Sequence, residues 1–289
     1  MENPSTYKSW CCLNGEFFDP EKPLLTLQNR GFCYGDTLFE TLHAFGTEPR
    51  HFQLHYRRLM AGMEVLGMLV PPAFAQEQLY GLTVKLLNKV RIFTSARVRL
   101  TVFRNDGGLY TPASDEVSFT IEASPLEQQK YLLNEKGIFI DLYPEMVKPQ
   151  NILSSFKTGN ALLFVMAARY KKSNGLGDCI ILNSEGKLVE ATSSNLFLIK
   201  GKNLYTPRLS DGCIAGVMRQ KVIELAPKIG LTVNENCSLT EANLLASDEI
   251  FLTNAVSGIR WVMGYRDRRY FCSHTKKLNV MLNKETFEI

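Results

Sequence analysis

Apolar and polar residues alternate in "RVRLTVF" (97–103). Val98, Leu100 and Val102 fall on one face and Arg97, Arg99 and Thr101 on the other, which predicts a half-buried strand. In "WCCLNGEFFDP" (10–20) two short apolar runs flank Asn14-Gly15, the dipeptide that best tolerates the positive φ of a tight hairpin. "FETLHAFGTEPRHF" (39–52) repeats that plan around Gly46-Thr47-Glu48. The period then changes. Leu59, Met63 and Leu66 recur at helical spacing, as do Leu79, Leu82, Leu86 and Val90, and predict amphipathic helices over 53–68 and 74–90. A strand over 117–123 runs into "ASPLEQQK" (123–130), whose composition suits a linker.

Beyond it, a strand at 138–143 leads through a Pro- and Asn-containing loop to Lys157 and a helix from about 160 to 173. "DCIILNSEGKLVEATSSNLFLIKGKNLYTP" (178–207) breaks into short strands at Ser184-Glu185-Gly186 and Gly201-Lys202-Asn203. A helix follows Gly216 and ends near Gly230. "DEIFLTNA" and "GIRWVMGY" predict two more strands, and 274–285 a last helix. The pattern is α+β. At 289 residues a single core tends to divide. The expected division is a small N-terminal α+β domain (1–122), a linker (123–130) and a larger C-terminal domain (131–289).

Composition narrows the class. Forty-five per cent hydrophobic residues and ten per cent aromatic ones describe a packed protein. The net charge of +4 comes without a clustered basic face, which argues against nucleic acid, and the densest basic run, "YRDRRY" (265–270), suits a solvated strand or turn. The start "MENPSTYKSW" lacks the plan of a signal peptide, and the apolar-rich stretch around 161–168 is too short to span a bilayer. Seven scattered cysteines with no CxxC pair fit reduced thiols in a cytoplasmic protein, with neither a disulfide framework nor a zinc site. His51 and His55 stand four apart without a nearby third ligand, so they read as ordinary surface, and no metal is assigned.

"SSFKTGNALLF" (154–164) places one lysine, Lys157, in an otherwise uncharged stretch. Among apolar neighbours an ammonium is destabilised, and a neutral amine there can form a Schiff base and act as a base. The same residues also suit a lysine whose stem packs while its head reaches water. Other groups sharpen the choice. Glu190 precedes a small-residue turn. Gly216 opens a helix whose first positions, Val217 and Met218, offer backbone N–H groups to a phosphate. An arginine of "HYRRL" could clamp the same dianion. A Schiff-base lysine, a carboxylate and a phosphate cradle together are what pyridoxal phosphate needs.

Six ordered blocks carry a resemblance. "RGFCYGDTLFET" (30–41), "HYRRL" (55–59), "FKTGN" (156–160), "EGKLVEATSSNLF" (185–197), "TPRLSDGCIAGVMR" (206–219) and "DEIFLTNAVSGI" (248–259) resemble the class IV (fold type IV) pyridoxal-phosphate enzymes almost end to end. That family includes branched-chain and D-amino-acid aminotransferases and 4-amino-4-deoxychorismate lyases. The resemblance implies an α/β sandwich in the small domain, a pseudo-barrel in the large one, and a homodimer acting on a small amine or carboxylate substrate, without membrane or nucleic acid. It implies that Lys157 holds the cofactor and shuttles the substrate proton, and that Glu190 faces the pyridine nitrogen. Arg58 would contact the phosphate with the amides of Val217 and Met218, and Ile214 would pack on the ring. Tyr34 and Arg99 match positions on the substrate side; a packed tyrosine and a strand-surface arginine are the plainer alternatives. Where many relatives carry a Ser or Thr on the phosphate, this chain has Ala255, leaving only a backbone amide. The short "KTGN" spacing resembles that of the lyases and D-amino-acid aminotransferases, whereas branched-chain enzymes usually have one residue more and a tyrosine where Ala161 stands. The expected activity is therefore release of pyruvate from 4-amino-4-deoxychorismate, with a branched-chain or D-amino-acid aminotransferase as the alternative.

Overall fold

Asn14 and Gly15 adopt φ of 51° and 94°, and the tight turn they form joins β1 (Cys11–Leu13) to β2 (Glu16–Phe18). The structure, a computed structural model, describes residues 10–288, so the polar N-terminal stretch lies almost wholly outside the described residues. The chain divides into two units, 1–129 with 156–160, and 130–155 with 161–289.

In the first unit a short helix, α1 (Arg30–Tyr34), precedes β3 (Thr37–Phe45) and β4 (Glu48–Pro49). Then come α2 (Phe52–Val65), α3 (Gln76–Lys89), β5 (Ser95–Arg104) and β6 (Val117–Pro125). The strands form one sheet in the order β2-β1-β6-β5-β3-β4, with every pair antiparallel. Leu59 and Met63 of α2 and Leu79, Leu86 and Leu87 of α3 meet Leu38, Leu42, Val98, Leu100, Val102 and Ile121 in one buried cluster. Each such side chain contributes roughly 1.5–3 kcal/mol. The strand alternation read at 97–103 therefore holds, with Arg97, Arg99 and Thr101 half-buried on the other face. Two boundaries move. The first helix stops at Val65, before Gly67 at φ 62°. The strand at 117 continues through Pro125, paired with Ala96, so the expected linker starts inside a strand.

The second unit contains β7 (Ile138–Leu142), α4 (Leu162–Ser173), β8 (Asp178–Leu182), β9 (Leu188–Ala191), β10 (Asn195–Lys200) and β11 (Asn203–Pro207). After these come α5 (Val217–Leu225), β12 (Thr232–Cys237), α6 (Glu241–Ala246), β13 (Glu249–Asn254), β14 (Gly258–Tyr265), β15 (Arg268–Arg269) and α7 (Ser273–Phe287). Six strands close on themselves: β10-β13-β14-β7-β8-β9 run in sequence, and Glu190 of β9 pairs back to Asn195 of β10. This is the expected pseudo-barrel. β11 and β12 extend the sheet from β10, and β15 pairs with β14, so "YRDRRY" is a strand end and turn. Ile140, Ile180, Leu188, Leu196, Leu198, Ile250, Leu252 and Val262 share one core cluster. On the opposite face of β10 and β13, Phe197 and Phe251 stack at 4.9 Å. The helix expected over 217–229 is α-helical only to Leu225; Pro227 falls in a 3₁₀ turn that ends at Gly230, φ 81°.

Candidate active site

In the second unit the site is built around the N-terminus of α5. Gly216 caps that helix with no side-chain hydrogen bond, so its first N–H groups have no partner within the helix. A Cβ at Gly216 would stand 1.8 Å from Asn195 Oδ1. Asn195 uses its Nδ2 to donate to the Ile214 carbonyl at 2.8 Å, which fixes the loop entering the helix. Thr253 faces Asn195 across the ladder. Its hydroxyl is buried and has no hydrogen-bond partner among the described residues. A helix N-terminus with uncommitted amides beside an unpaired buried hydroxyl fits a phosphate. Ala255 itself lies in a turn held by Asn254 Oδ1, which accepts from Val256 N at 3.0 Å and Ser257 N at 2.8 Å. The Ala255 carbonyl accepts from the Tyr131 hydroxyl at 3.0 Å.

Glu190 is 3% exposed. One carboxylate oxygen accepts from Ile214 N at 3.0 Å, and the other pairs with the Lys148 ammonium. Lys148, absent from the sequence reading, also donates to the Ser154 carbonyl at 3.2 Å. The next carbonyl, Ser155, accepts from Ala215 N at 3.0 Å. Two residues of chain then lead to Lys157. Burial, reinforced by Glu190, pushes the neighbouring Cys213 thiol up to about 12, so it is inert.

The first unit holds Lys157 itself. Its carbonyl accepts from Phe39 N at 2.9 Å, and Gly159 N donates to the Thr37 carbonyl at 2.9 Å. "KTGN" thus pairs alongside β3. A Cβ at Gly159 would come within 2.3 Å of Thr37 Cγ2. Lys157 Nζ lies 4.8 Å from the centroid of the Phe39 ring, and the Arg99 guanidinium stacks on that ring at 4.0 Å. Arg99 also donates to Thr101 Oγ1 at 3.2 Å. Burial, then the Arg97 charge, lowers its pKa. Tyr34 is exposed, at 5.7 Å from the Tyr110 ring, so the packed-core alternative fails for it.

The opposite face of β3 places Glu40 under α2. Arg58 Nε and Nη2 donate to its two oxygens at 2.7 and 2.5 Å, and His55 Nδ1 lies 2.7 Å from Oε2. Burial raises the Glu40 carboxyl, but Arg58 and His55 outweigh it and hold it at about 2. Burial lowers the His55 pKa against the pull of Glu40. Nδ1 carries the hydrogen that it donates to Glu40, since a carboxylate only accepts. The surface reading of His55 was wrong: it is buried and paired. A signal existed, because Glu40 shares strand parity with Leu38 and Leu42, and His55 and Arg58 are i,i+3 on one helix face.

The amino-transferase class IV family model matches residues 37–264, and the chain belongs to that family of enzymes. An aminodeoxychorismate lyase of Vibrio harveyi is 27% identical over 240 residues, covering 82% of this chain and 86% of that one. A putative branched-chain-amino-acid aminotransferase of Methanocaldococcus jannaschii is 28% identical over 250 residues, 86% and 84% of the two chains. The fold matches that of a Thermoproteus uzoniensis branched-chain aminotransferase (TM-score 0.87, 24% identity, 96% of this chain and 94% of that one). It also matches a putative 4-amino-4-deoxychorismate lyase of Legionella pneumophila (TM-score 0.83, 24% identity, 92% and 97%). The cofactor of the family, and of this chain, is pyridoxal phosphate. No helix among the described residues is long and apolar enough to cross a membrane.

Proposed function

We propose that the chain converts 4-amino-4-deoxychorismate to 4-aminobenzoate and pyruvate. The observation that carries this reading is that one ring, Phe39, lies against both an amine and a guanidinium, with Lys157 Nζ 4.8 Å and the Arg99 guanidinium 4.0 Å from its centroid. That pair suits a substrate bearing both an amine and a carboxylate. Ala161 in the position after "KTGN", and the name of the Vibrio harveyi relative, favour the lyase within the family.

When bound, pyridoxal phosphate supplies an electron sink at the amine-bearing carbon. Lys157 is assigned to hold the cofactor and to take the proton from that carbon. The adjacent C–O bond then breaks, its electron pair leaving with the oxygen, and the departing enolate takes a proton on its methylene carbon to become pyruvate. Aromatisation of the ring drives this exit. Glu190 is assigned to the ring nitrogen and Ile214 to the ring face. Val217, Met218, Thr253 and the Ala255 amide are assigned to the phosphate. Arg58, which also holds Glu40, is assigned there too. Arg99 takes the substrate carboxylate, and Tyr34 lines the same side.

The enzyme is proposed to work as a cytoplasmic homodimer. Leu27, Phe32, Leu109 and Tyr110 of the first unit are highly exposed, and a second copy would cover them. Light scattering checks that state. The activity is tested by supplying chorismate, glutamine and an aminodeoxychorismate synthase, then following 4-aminobenzoate and pyruvate. Equal release of both supports the lyase. A yellow enzyme that releases neither, but transfers amino groups from branched-chain or D-amino acids to 2-oxoglutarate, replaces it with the aminotransferase.

A further inference from the structure

A carboxylate withdrawn from water needs a counter-charge, and so does an ammonium. Glu190 and Lys148 are 3% and 6% exposed, and each is the other's ionic partner. Lys148 lies 5.4 Å from the Phe164 ring centroid and spends a second hydrogen bond on the Ser154 carbonyl. Two residues of chain, Ser155 and Phe156, separate Ser154 from Lys157. One ammonium therefore fixes both the carboxylate and the Ser154 carbonyl. With one oxygen held by Lys148 and the other by Ile214 N–H, the plane of the Glu190 carboxylate is set.

We propose that Lys148 is a positioning residue that holds the Glu190 carboxylate aimed before the cofactor arrives. This rests on the reading that Glu190 meets the ring nitrogen. Once a protonated ring nitrogen shares the carboxylate, it supplies a second counter-charge, and the ammonium becomes partly redundant. Lys148 thus preforms the cradle while weakening the pull of Glu190 on the ring proton.

The test compares the melting temperature of the full chain, stripped of cofactor and then saturated with pyridoxal phosphate, for wild type, K148M, K148R and E190Q. K148M is expected to melt lower than wild type when stripped, and to gain more from the cofactor than wild type does. K148R is expected to restore both values. An equal loss in stripped and saturated forms would mean a merely structural role and overturn the proposal, as would no loss at all. E190Q is expected to gain less than wild type. If it gains as much, Glu190 does not meet the ring, and the underlying reading falls whatever K148M does. If E190Q gains less but K148M gains only as much as wild type, the Lys148 proposal alone falls. Should K148M not fold, the double variant K148M/E190Q decides. Recovery of folding supports a stranded carboxylate as the cause, and continued failure overturns it.

Discussion

Replacing Glu40 by glutamine keeps its shape and removes its charge. In the native protein Arg58 and His55 hold that buried carboxyl at about 2, against an ordinary value of 4.5. At about 1.4 kcal/mol for each tenfold, the gap is worth about 3.5 kcal/mol. Because the folded value is depressed, this stability is present above pH 4.5 and is lost as the pH falls from there towards 2. His55 acts in the same direction, since its lowered pKa makes the folded protein resist a proton that the unfolded chain accepts below 6.5. Removing one member of a buried ion pair costs about 3–5 kcal/mol. The variant should therefore melt about 6–20 °C lower at pH 7, at 2–4 °C per kcal/mol. Thermal unfolding followed by circular dichroism between pH 7 and pH 3 measures both effects. E40Q should also lose stability less steeply than wild type below pH 4.5. A melting point within about 2 °C of wild type at pH 7, or an acid slope parallel to it, would refute the argument.

Lys157→Ala should abolish turnover without changing the circular dichroism spectrum, and should leave no cofactor fixed to the chain after borohydride reduction; an active variant sinks the assignment. Glu190→Gln should lower kcat by about tenfold or more, equivalent to 1.4 kcal/mol or more, and unchanged turnover would show that this carboxylate has another partner. Arg99→Met should raise KM by roughly 10- to 100-fold, the range of a charged hydrogen bond of 1.5–3 kcal/mol; a fall in kcat at constant KM would place Arg99 elsewhere. Gly216→Ala should push Asn195 off the Ile214 carbonyl and weaken cofactor binding by about tenfold, roughly one buried hydrogen bond. Fluorescence titration of the stripped protein checks this last value, and wild-type affinity would show that the loop gives way freely.

What the sequence made legible follows from locality. Asn14-Gly15, the alternation at 97–103 and the helical spacing of Leu59 and Met63 are each decided by neighbours within a few residues, and each stands in the structure. The elements it left unread are short or polar. α1 covers five residues and α6 six, and β12 carries "TVNENC", with no apolar run to mark it. The boundary at 123–125 was misplaced because Pro125 reads as a break, yet it is the last paired residue of its strand, where a missing N–H is tolerated.

The site divides along the same line. Gly216, Val217 and Met218 are one turn of chain, so a phosphate cradle could be read from adjacent letters. Glu40 could have been read from strand parity and a helix face. Lys148 could not. Its N–H donates to the Leu182 carbonyl at 2.8 Å, and it bridges to Asn183, which carries it alongside the end of β8. Glu190 reaches the other side of that strand by pairing with Ile181. The two charges meet because β8 lies between their backbones in a closed ring, with a parallel neighbour on one side and an antiparallel one on the other. A separation of 42 residues carries no trace of that. Burial then makes the pairing obligatory: a lone ammonium or a lone carboxylate at either position would cost the fold more than a typical surface ion pair returns.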